Sequence, residues 1–464
     1  MTLATPSLAA LPTALPPVER QAVIPLGFVA GAGIAGIKAS GRPDLAIVAT
    51  EPGPDGARVA AAAAAVFTPN AFAAAPVRLS KAHLAASDAA GEGRFGWAIG
   101  VISTSGCANA ATGAAGDADQ AVVADELAAA LGTTANLTLL LSTGIIGTRL
   151  PLDRVRDGIA AVAPRLAATN DALASVAVAL RTTDSVAKAA TTSITLPDRD
   201  GFAVRPVRIT GIAKGVGMIH PRMATMLSIV LTDATVDPAT LHGLLRPAAA
   251  RTWDQLSVDG DTSTNDTVFV LASGAAGAAA VTAGTREAVE LGRAIEAVAR
   301  DLARQQAADG EGATTLITCQ VSGAADDADA RAVARSVTSS SLVKAAAHGR
   351  DPNWGRIAGA AGNAHLADEA VLAAAGLPAG AARSRSGTAA EVDPDRLRIA
   401  IAGHLVFDGR AGGPVAFDRD AAREAMAGPE LLLRLDLGLG DGSGEAFGCD
   451  LTEAYVIENS EYTT

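Results

Sequence analysis

Aromatic residues are scarce in this chain, at 3% with only two tyrosines. Any core must therefore pack small aliphatic side chains closely, and much of the 49% hydrophobic fraction is alanine. Cysteine is also sparse: Cys107, Cys319 and Cys449 are odd in number and far apart. That excludes a disulfide framework and a CxxC metal site, and fits a reducing cytoplasm. The six histidines show no ligand spacing either, so no metal is expected. Positive charge is outnumbered, 37 basic against 49 acidic residues, for a net charge of −12. A phosphate polymer is repelled by such a surface, so no nucleic-acid partner is expected.

Long apolar runs suited to a membrane are missing as well. Residues 59–77 and 267–285 are free of charge but rich in alanine and broken by Pro, Asn or Gly. Residues 1–18 have four prolines and no basic start, unlike a signal peptide. A soluble, cytoplasmic protein without a membrane partner is the expectation. Charged residues at 19% and frequent glycine argue against extensive disorder. The length of 464 residues suits two or three ordinary domains or one large layered one.

After a Pro- and Ala-rich lead-in of about 20 residues that reads as loosely packed, short apolar runs alternate with Gly and Pro breaks. Residues 45–49, 137–141, 176–180, 226–231 and 268–271 have the length and flanks of strands. Residues 120–131, 153–168, 286–308 and 327–347 read as Ala-rich helices. Segments 325–331 and 377–396 read as surface loops. The pattern is mixed α/β, with helices covering sheets. Gly31-Ala-Gly-Ile-Ala-Gly36 imitates a dinucleotide fingerprint, with Glu51 twenty positions on. That motif needs a crossover helix, and Ser40, Gly41 and Pro43 interrupt before one can form, so a tight turn is the reading.

The most informative run is Lys214-Gly-Val-Gly-Met-Ile-His-Pro-Arg-Met-Ala-Thr225-Met-Leu227. On composition it is only a turn entering a strand, with threonine as β-branched filler. Chemistry offers a sharper reading. A threonine hydroxyl is a weak nucleophile without a neighbouring base. If the bond before Thr225 is cut, its own α-amine, with an ordinary pKa of about 7.7–8.0, becomes that base. Nucleophile and base then reside in one residue, a known variant of the triad logic. The same hydroxyl can make the cut by attacking the Ala224 carbonyl.

This run resembles the signature of the glutamate/ornithine N-acetyltransferases of arginine biosynthesis, which are cut before the matching threonine. Further matches follow in order across nearly the whole chain. They are residues 25–38, 73–77, 141–147, Thr182-Thr183-Asp184, 259–267, 309–314, Asp351-Pro-Asn-Trp-Gly-Arg356 and 459–464. Departures occur at Cys107, Ala111, Arg222 and Glu458, none of them a proposed catalytic group. They bear on donor and acceptor preference and leave room for a specialised-pathway relative.

The resemblance implies an α/β fold of two sheets sandwiched between helix layers. It implies autocleavage between Ala224 and Thr225 into an α chain of residues 1–224 and a β chain of residues 225–464, paired as α2β2. Thr225 is then the nucleophile, and Thr143 with the Gly144 amide forms the oxyanion hole that acyl transfer requires. Lys214 grips a substrate α-carboxylate. Glu311, between glycines that admit a substrate, holds an amine. Thr182 is preferred over Thr183 as a substrate ligand, because strand alternation would turn only one of them into the pocket. Asn459 and Thr464 bind substrate from the C-terminus. The Asn353 motif receives no chemical role beyond structure, and His220 is left out because its position varies in the family.

The implied reaction is ping-pong: acetyl passes from N2-acetyl-L-ornithine to Thr225, ornithine leaves, and L-glutamate accepts. No cofactor is needed, although acetyl-CoA is a conceivable co-substrate. Two rivals stand beside it. A self-cleaving amidase or aminopeptidase would release acetate to water. A non-catalytic binding relative would remain uncut.

Overall fold

The computed structural model describes residues 8–11, 15–220 and 226–461. Two sheets lie face to face. The first has four strands in the order Phe28–Gly33, Leu45–Thr50, Gly100–Cys107, Thr138–Ile145. The second has six: Phe95–Ala98, Ala61–Phe67, Thr267–Ala272, Leu227–Thr232, Val204–Lys214, Lys188–Pro197.

Side-chain alternation builds the layers. In Leu45–Thr50, Ala46 and Val48 face the second sheet, whereas Leu45, Ile47 and Ala49 face helices Gly113–Leu131 and Leu152–Val162. The outer face of the second sheet is covered by helices Pro238–Arg251 and Arg286–Ala308. Helix, sheet, sheet, helix is the resulting order, the two-sheet sandwich that the family resemblance implies. Alanine makes the close stacking possible. Along Ala61–Phe67, Ala61, Ala63 and Ala65 enter one core while Ala62, Ala64 and Val66 enter the other.

Helix Arg286–Ala308 shows how sequence sets an element. Thr285 caps it by accepting from the Ala288 amide. Ala288, Leu291, Ile295, Val298 and Leu302 recur at three- and four-residue steps and are all buried. They pack over Gly211, where a Cβ would lie 2.6 Å from Val298 and 2.7 Å from Leu302. Truncating Leu302 to alanine would cost roughly 2–5 kcal/mol.

A third sheet, not anticipated from the sequence, occupies the C-terminal part. Its order is Leu256–Ser257, Gly442–Cys449, Leu316–Ala324, Glu430–Asp436, Arg398–Ile401, His404–Asp408, Gly413–Pro414. Helices Asp327–Ser339, Ser341–His348 and Trp354–Gly362 cover it.

Several local expectations are corrected. Residues 176–180 are not a strand but the end of helix Asn170–Leu180, whose buried Leu173, Val176, Ala177 and Leu180 follow helical spacing. Segment 325–331 is not a loop. Asp326 caps helix Asp327–Ser339, in which Asp329 and Arg331 are buried. Segment 377–396 contains helix Ala379–Arg385. The expected helix over 327–347 is divided at Ser340, which ends one helix and caps the next. The lead-in is partly packed: Leu8 is buried against Ala400 and Leu405, and Glu19 pairs with Thr191. Residues 31–36 pass from strand into a turn with no crossover helix, as read above.

Candidate active site

Strands Thr138–Ile145 and Val204–Lys214 belong to different sheets, yet they converge at one end. There the Lys214 Nζ donates to the Thr143 Oγ1 at 3.2 Å. Lys214 is buried, and burial lowers its pKa while Asp184 opposes that fall. With its oxygen accepting from Lys214, the Thr143 hydroxyl can direct its own hydrogen elsewhere. Gly144 beside it has φ +129°, and a Cβ there would lie 2.3 Å from the Gly106 backbone. Only glycine fits, and Gly144 lines the pocket.

Asp184 supports this end of the sheet from behind. It accepts from the Lys188 Nζ at 2.8 Å, the Gly215 amide at 2.8 Å and the Thr182 amide at 3.1 Å. Lys188 is fully buried and also reaches Asp309 at 2.6 Å. Burial alone would push the Asp184 carboxyl up. The charges of Lys214 and Lys188 and the Lys188 and Gly215 hydrogen bonds outweigh it and bring it down to about 2.

Glu311 forms the opposite wall. Its Oε1 accepts from the Thr183 hydroxyl at 2.8 Å and its Oε2 from the Asn459 side-chain Nδ2 at 3.0 Å. Gly217 leaves the necessary space, since a Cβ there would overlap the Glu311 carboxylate. Asn459 lies in helix Glu453–Glu461, which seats against Gly312, where a Cβ would meet the Tyr455 backbone at 2.3 Å.

Thr143, Gly144, Thr182, Thr183, Lys214, Glu311 and Asn459 all line this one pocket. Thr182 and Thr183 both do so because residues 181–185 follow a helix and are not a strand, so alternation does not apply. It is Thr183 whose hydroxyl binds Glu311. Ala224, Thr225 and Thr464 lie outside the described residues.

The segment between 259 and 267 contributes groups to which the sequence assigned no role. Asn265 donates to the carbonyls of Ala108 at 2.7 Å and Ser142 at 2.8 Å, bracing the Thr143 strand. Asp259 accepts from the amides of Met218 at 2.5 Å and Ile219 at 2.8 Å, fixing the turn that leads toward Thr225. Asp266 Oδ1 accepts from the Met226 amide at 3.0 Å, while its buried Oδ2 has no hydrogen-bond partner among the described residues. Burial raises the Asp266 pKa well above its ordinary value, although the Met226 hydrogen bond and the Lys214 charge oppose it. The only signal for these residues was the polar Asp-Gly-Asp-Thr-Ser-Thr-Asn-Asp-Thr run just before a strand.

Two stacked sheets between helices, with hydroxyls, a lysine and a carboxylate gathered at one end, define an α/β protein with a polar pocket at the end of its sheets. Residues 29–464 match the ArgJ family, and the chain belongs to it. It is similar to the "Arginine biosynthesis bifunctional protein ArgJ" of Synechococcus, 42% identical over 449 residues, 95% of this chain and 96% of that one. Among solved structures, the arginine biosynthesis bifunctional protein of Bacillus halodurans is 37% identical over 51% of this chain and 100% of that one, with a TM-score of 0.44. The ornithine acetyltransferase of Mycobacterium tuberculosis, solved with ornithine, is 37% identical over 44% of this chain and 97% of that one, with a TM-score of 0.36. Among the described residues no helix is long and apolar enough to cross a membrane, and no metal-binding cluster occurs.

Proposed function

We propose that this enzyme transfers acetyl from N2-acetyl-L-ornithine to L-glutamate, yielding L-ornithine and N-acetyl-L-glutamate in arginine biosynthesis. It acts as an acetyltransferase on small amino-acid substrates, as befits its family. The supporting observation is the convergence of Thr143, Gly144, Lys214 and Glu311 on one pocket.

Maturation comes first. The Thr225 hydroxyl attacks the Ala224 carbonyl, the peptide C–N bond breaks, and the hydroxyl proton passes to the departing amine. Asp266, whose carboxyl holds the next amide along, is the group we assign to carry that proton. Water then hydrolyses the ester, leaving an α chain of residues 1–224 and a β chain of residues 225–464. These remain together and pair as α2β2 in the cytoplasm.

In turnover, the freed Thr225 amine takes the hydroxyl proton as oxygen attacks the acetyl carbonyl. The Thr143 hydroxyl and Gly144 amide hold the developing oxyanion, a contribution of about 2.7–4 kcal/mol per donor in comparable sites. Lys214 neutralises a substrate carboxylate, and Glu311 with Thr182 and Asn459 holds the amine end, with Thr464 completing the site from the C-terminus. Collapse expels ornithine, whose amine takes the proton back. Glutamate then attacks the ester in the same pocket, since both substrates share the α-amino-acid frame. Acetyl-CoA can load the same hydroxyl, its thiol leaving in place of ornithine.

The test is to incubate purified protein with N-acetylornithine, with and without glutamate. N-acetylglutamate and ornithine in equal amounts are expected. Acetate formed equally fast without glutamate would make it an amidase, and an uncut chain with no turnover a binding protein.

A further inference from the structure

Residues 34–42 follow the glycine-rich run that imitates a dinucleotide loop, and the chemistry described above leaves them without a task. One carboxylate builds their turn. Asp44, fully buried, accepts from the amides of Ala35 at 2.6 Å, Ile37 at 2.5 Å and Lys38 at 2.9 Å. Gly36, between the first two, has φ +84°. Three donors on one carboxylate hold the chain in place.

Lys38 then touches both halves of the catalytic pocket's frame. Its stem packs on Gly106, where a Cβ would lie 3.2 Å from the Lys38 Cγ. Gly106 in turn backs Gly144, whose own Cβ would lie 2.3 Å from the Gly106 carbonyl carbon. Contacts this close pass on any shift of the turn. The Lys38 ammonium donates to the carbonyls of Ala179 at 3.1 Å and Pro43 at 2.7 Å. Ala179 is the last residue but one of helix Asn170–Leu180, and a cation is favoured at a helix C-terminus. The Ser105 hydroxyl reaches the same end, at 2.7 Å from the Ala179 carbonyl. Just beyond the helix, Arg42 donates to the Thr182 carbonyl at 3.1 Å. Thr182 and Thr183 line the pocket, and Thr183 holds Glu311.

Holding a cation there is costly. Burial, with the Arg42 and Lys214 charges beside it, brings the Lys38 pKa down to about 8, although Asp44 and Asp184 oppose the fall. Lysine is rarely placed so without partners to hold.

We propose that Lys38, with Arg42, is a positioning residue for acetyl transfer: it clamps residues 179–183 against the strand that ends in Thr143 and Gly144. The wall that receives the substrate amine thereby keeps its distance from the groups that hold the acyl oxygen. A displacement of about 1 Å between such groups can cost a hundredfold in rate. Neither side chain touches substrate. The inference rests on the acetyl-transfer reading for the ligand it names, while the clamp stands on its hydrogen bonds.

The test is calorimetric titration of the purified protein with ornithine, beside the kinetics of transfer from N-acetylornithine to glutamate. Lys38→Met keeps the stem on Gly106 and loses the charge. It should weaken ornithine binding and raise KM about tenfold or more, with kcat within about threefold of wild type. Lys38→Arg should restore both. Arg42→Gln alters an exposed side chain, so it should fold whatever Lys38→Met does, and it should weaken ornithine about threefold or more. As pH rises through 8, wild type should lose ornithine affinity relative to Lys38→Arg, because only Lys38 discharges there; titration of ornithine itself cancels in the ratio. Ornithine binding unchanged in Lys38→Met and Arg42→Gln, a loss that Lys38→Arg does not restore, or a fall in kcat with KM unmoved would each overturn the clamp. Wild-type protein that binds ornithine yet transfers no acetyl would sink the function instead, and the binding arms would still decide the clamp. Wild-type protein that binds no ornithine would overturn both.

Discussion

The Lys214 ammonium donates to the Thr143 hydroxyl at 3.2 Å, joining the ends of strands from two different sheets. The contact fixes which way the hydroxyl hydrogen can point. Thr143→Ala should lower kcat by roughly ten- to a thousand-fold with a smaller change in KM, the usual cost of one oxyanion donor. Thr143→Ser should keep most of the activity. Steady-state kinetics decide, and an unchanged kcat in the alanine variant would place the oxyanion hole elsewhere.

Asp266 accepts from the Met226 amide, one residue from the bond proposed to be cut, and burial raises its pKa. Asn at this position keeps an acceptor for Met226 but cannot shuttle a proton. Asp266→Asn should therefore accumulate uncut chain, visible as one band on a denaturing gel, while its urea midpoint stays close to wild type. Normal cleavage by this variant would remove Asp266 from the proton path.

Asp184 connects the site to acid stability. Its folded pKa of about 2 lies below the ordinary unfolded value of about 3.9. The group thus contributes stability that is fully present above pH 4 and lost as pH falls through 2, on the order of 2 kcal/mol. Urea midpoints at pH 4, 3 and 2 should drop more steeply for wild type than for Asp184→Asn. At pH 7 the variant should be less stable by roughly 3–5 kcal/mol, because among the described residues buried Lys188 loses one of its two carboxylate partners and keeps Asp309 and the Val186 carbonyl. Parallel pH profiles would mean that this carboxyl is not held below its unfolded value.

Much of the sandwich was legible in the residues. Residues 45–49 and 268–271 read as strands because unbroken apolar runs of that length suit sheets buried on both faces, and they lie within strands Leu45–Thr50 and Thr267–Ala272. Residues 176–180 misled for the same reason. Alanine and valine fit helix and strand alike, and the deciding clue is the Thr169 cap, eight residues before Ala177, which joins Leu173 on one face. The third sheet escaped because its outer strands are short. In Glu430–Asp436 the buried Leu431, Leu433 and Leu435 alternate, but Leu432 between them blurs the pattern in the sequence. At the site, Thr143, Lys214 and Glu311 came from a family resemblance, since no local pattern predicts that residues 71 and 97 positions apart will meet. Asp184, Asn265 and Asp266 act through hydrogen bonds to other segments, which only the folded chain displays.

The covalent role of Thr225 is the central claim, and intact-mass measurement tests it most directly. Mature protein mixed with N-acetylornithine alone should gain one acetyl group on the chain that begins at Thr225. The acetyl should rest on oxygen as an ester, because an amide on the α-amine would be too stable to pass on. Adding glutamate should remove that mass and release N-acetylglutamate. If no chain begins at Thr225, or if transfer proceeds at full rate while the acetyl mass never appears, the acyl-enzyme account is wrong.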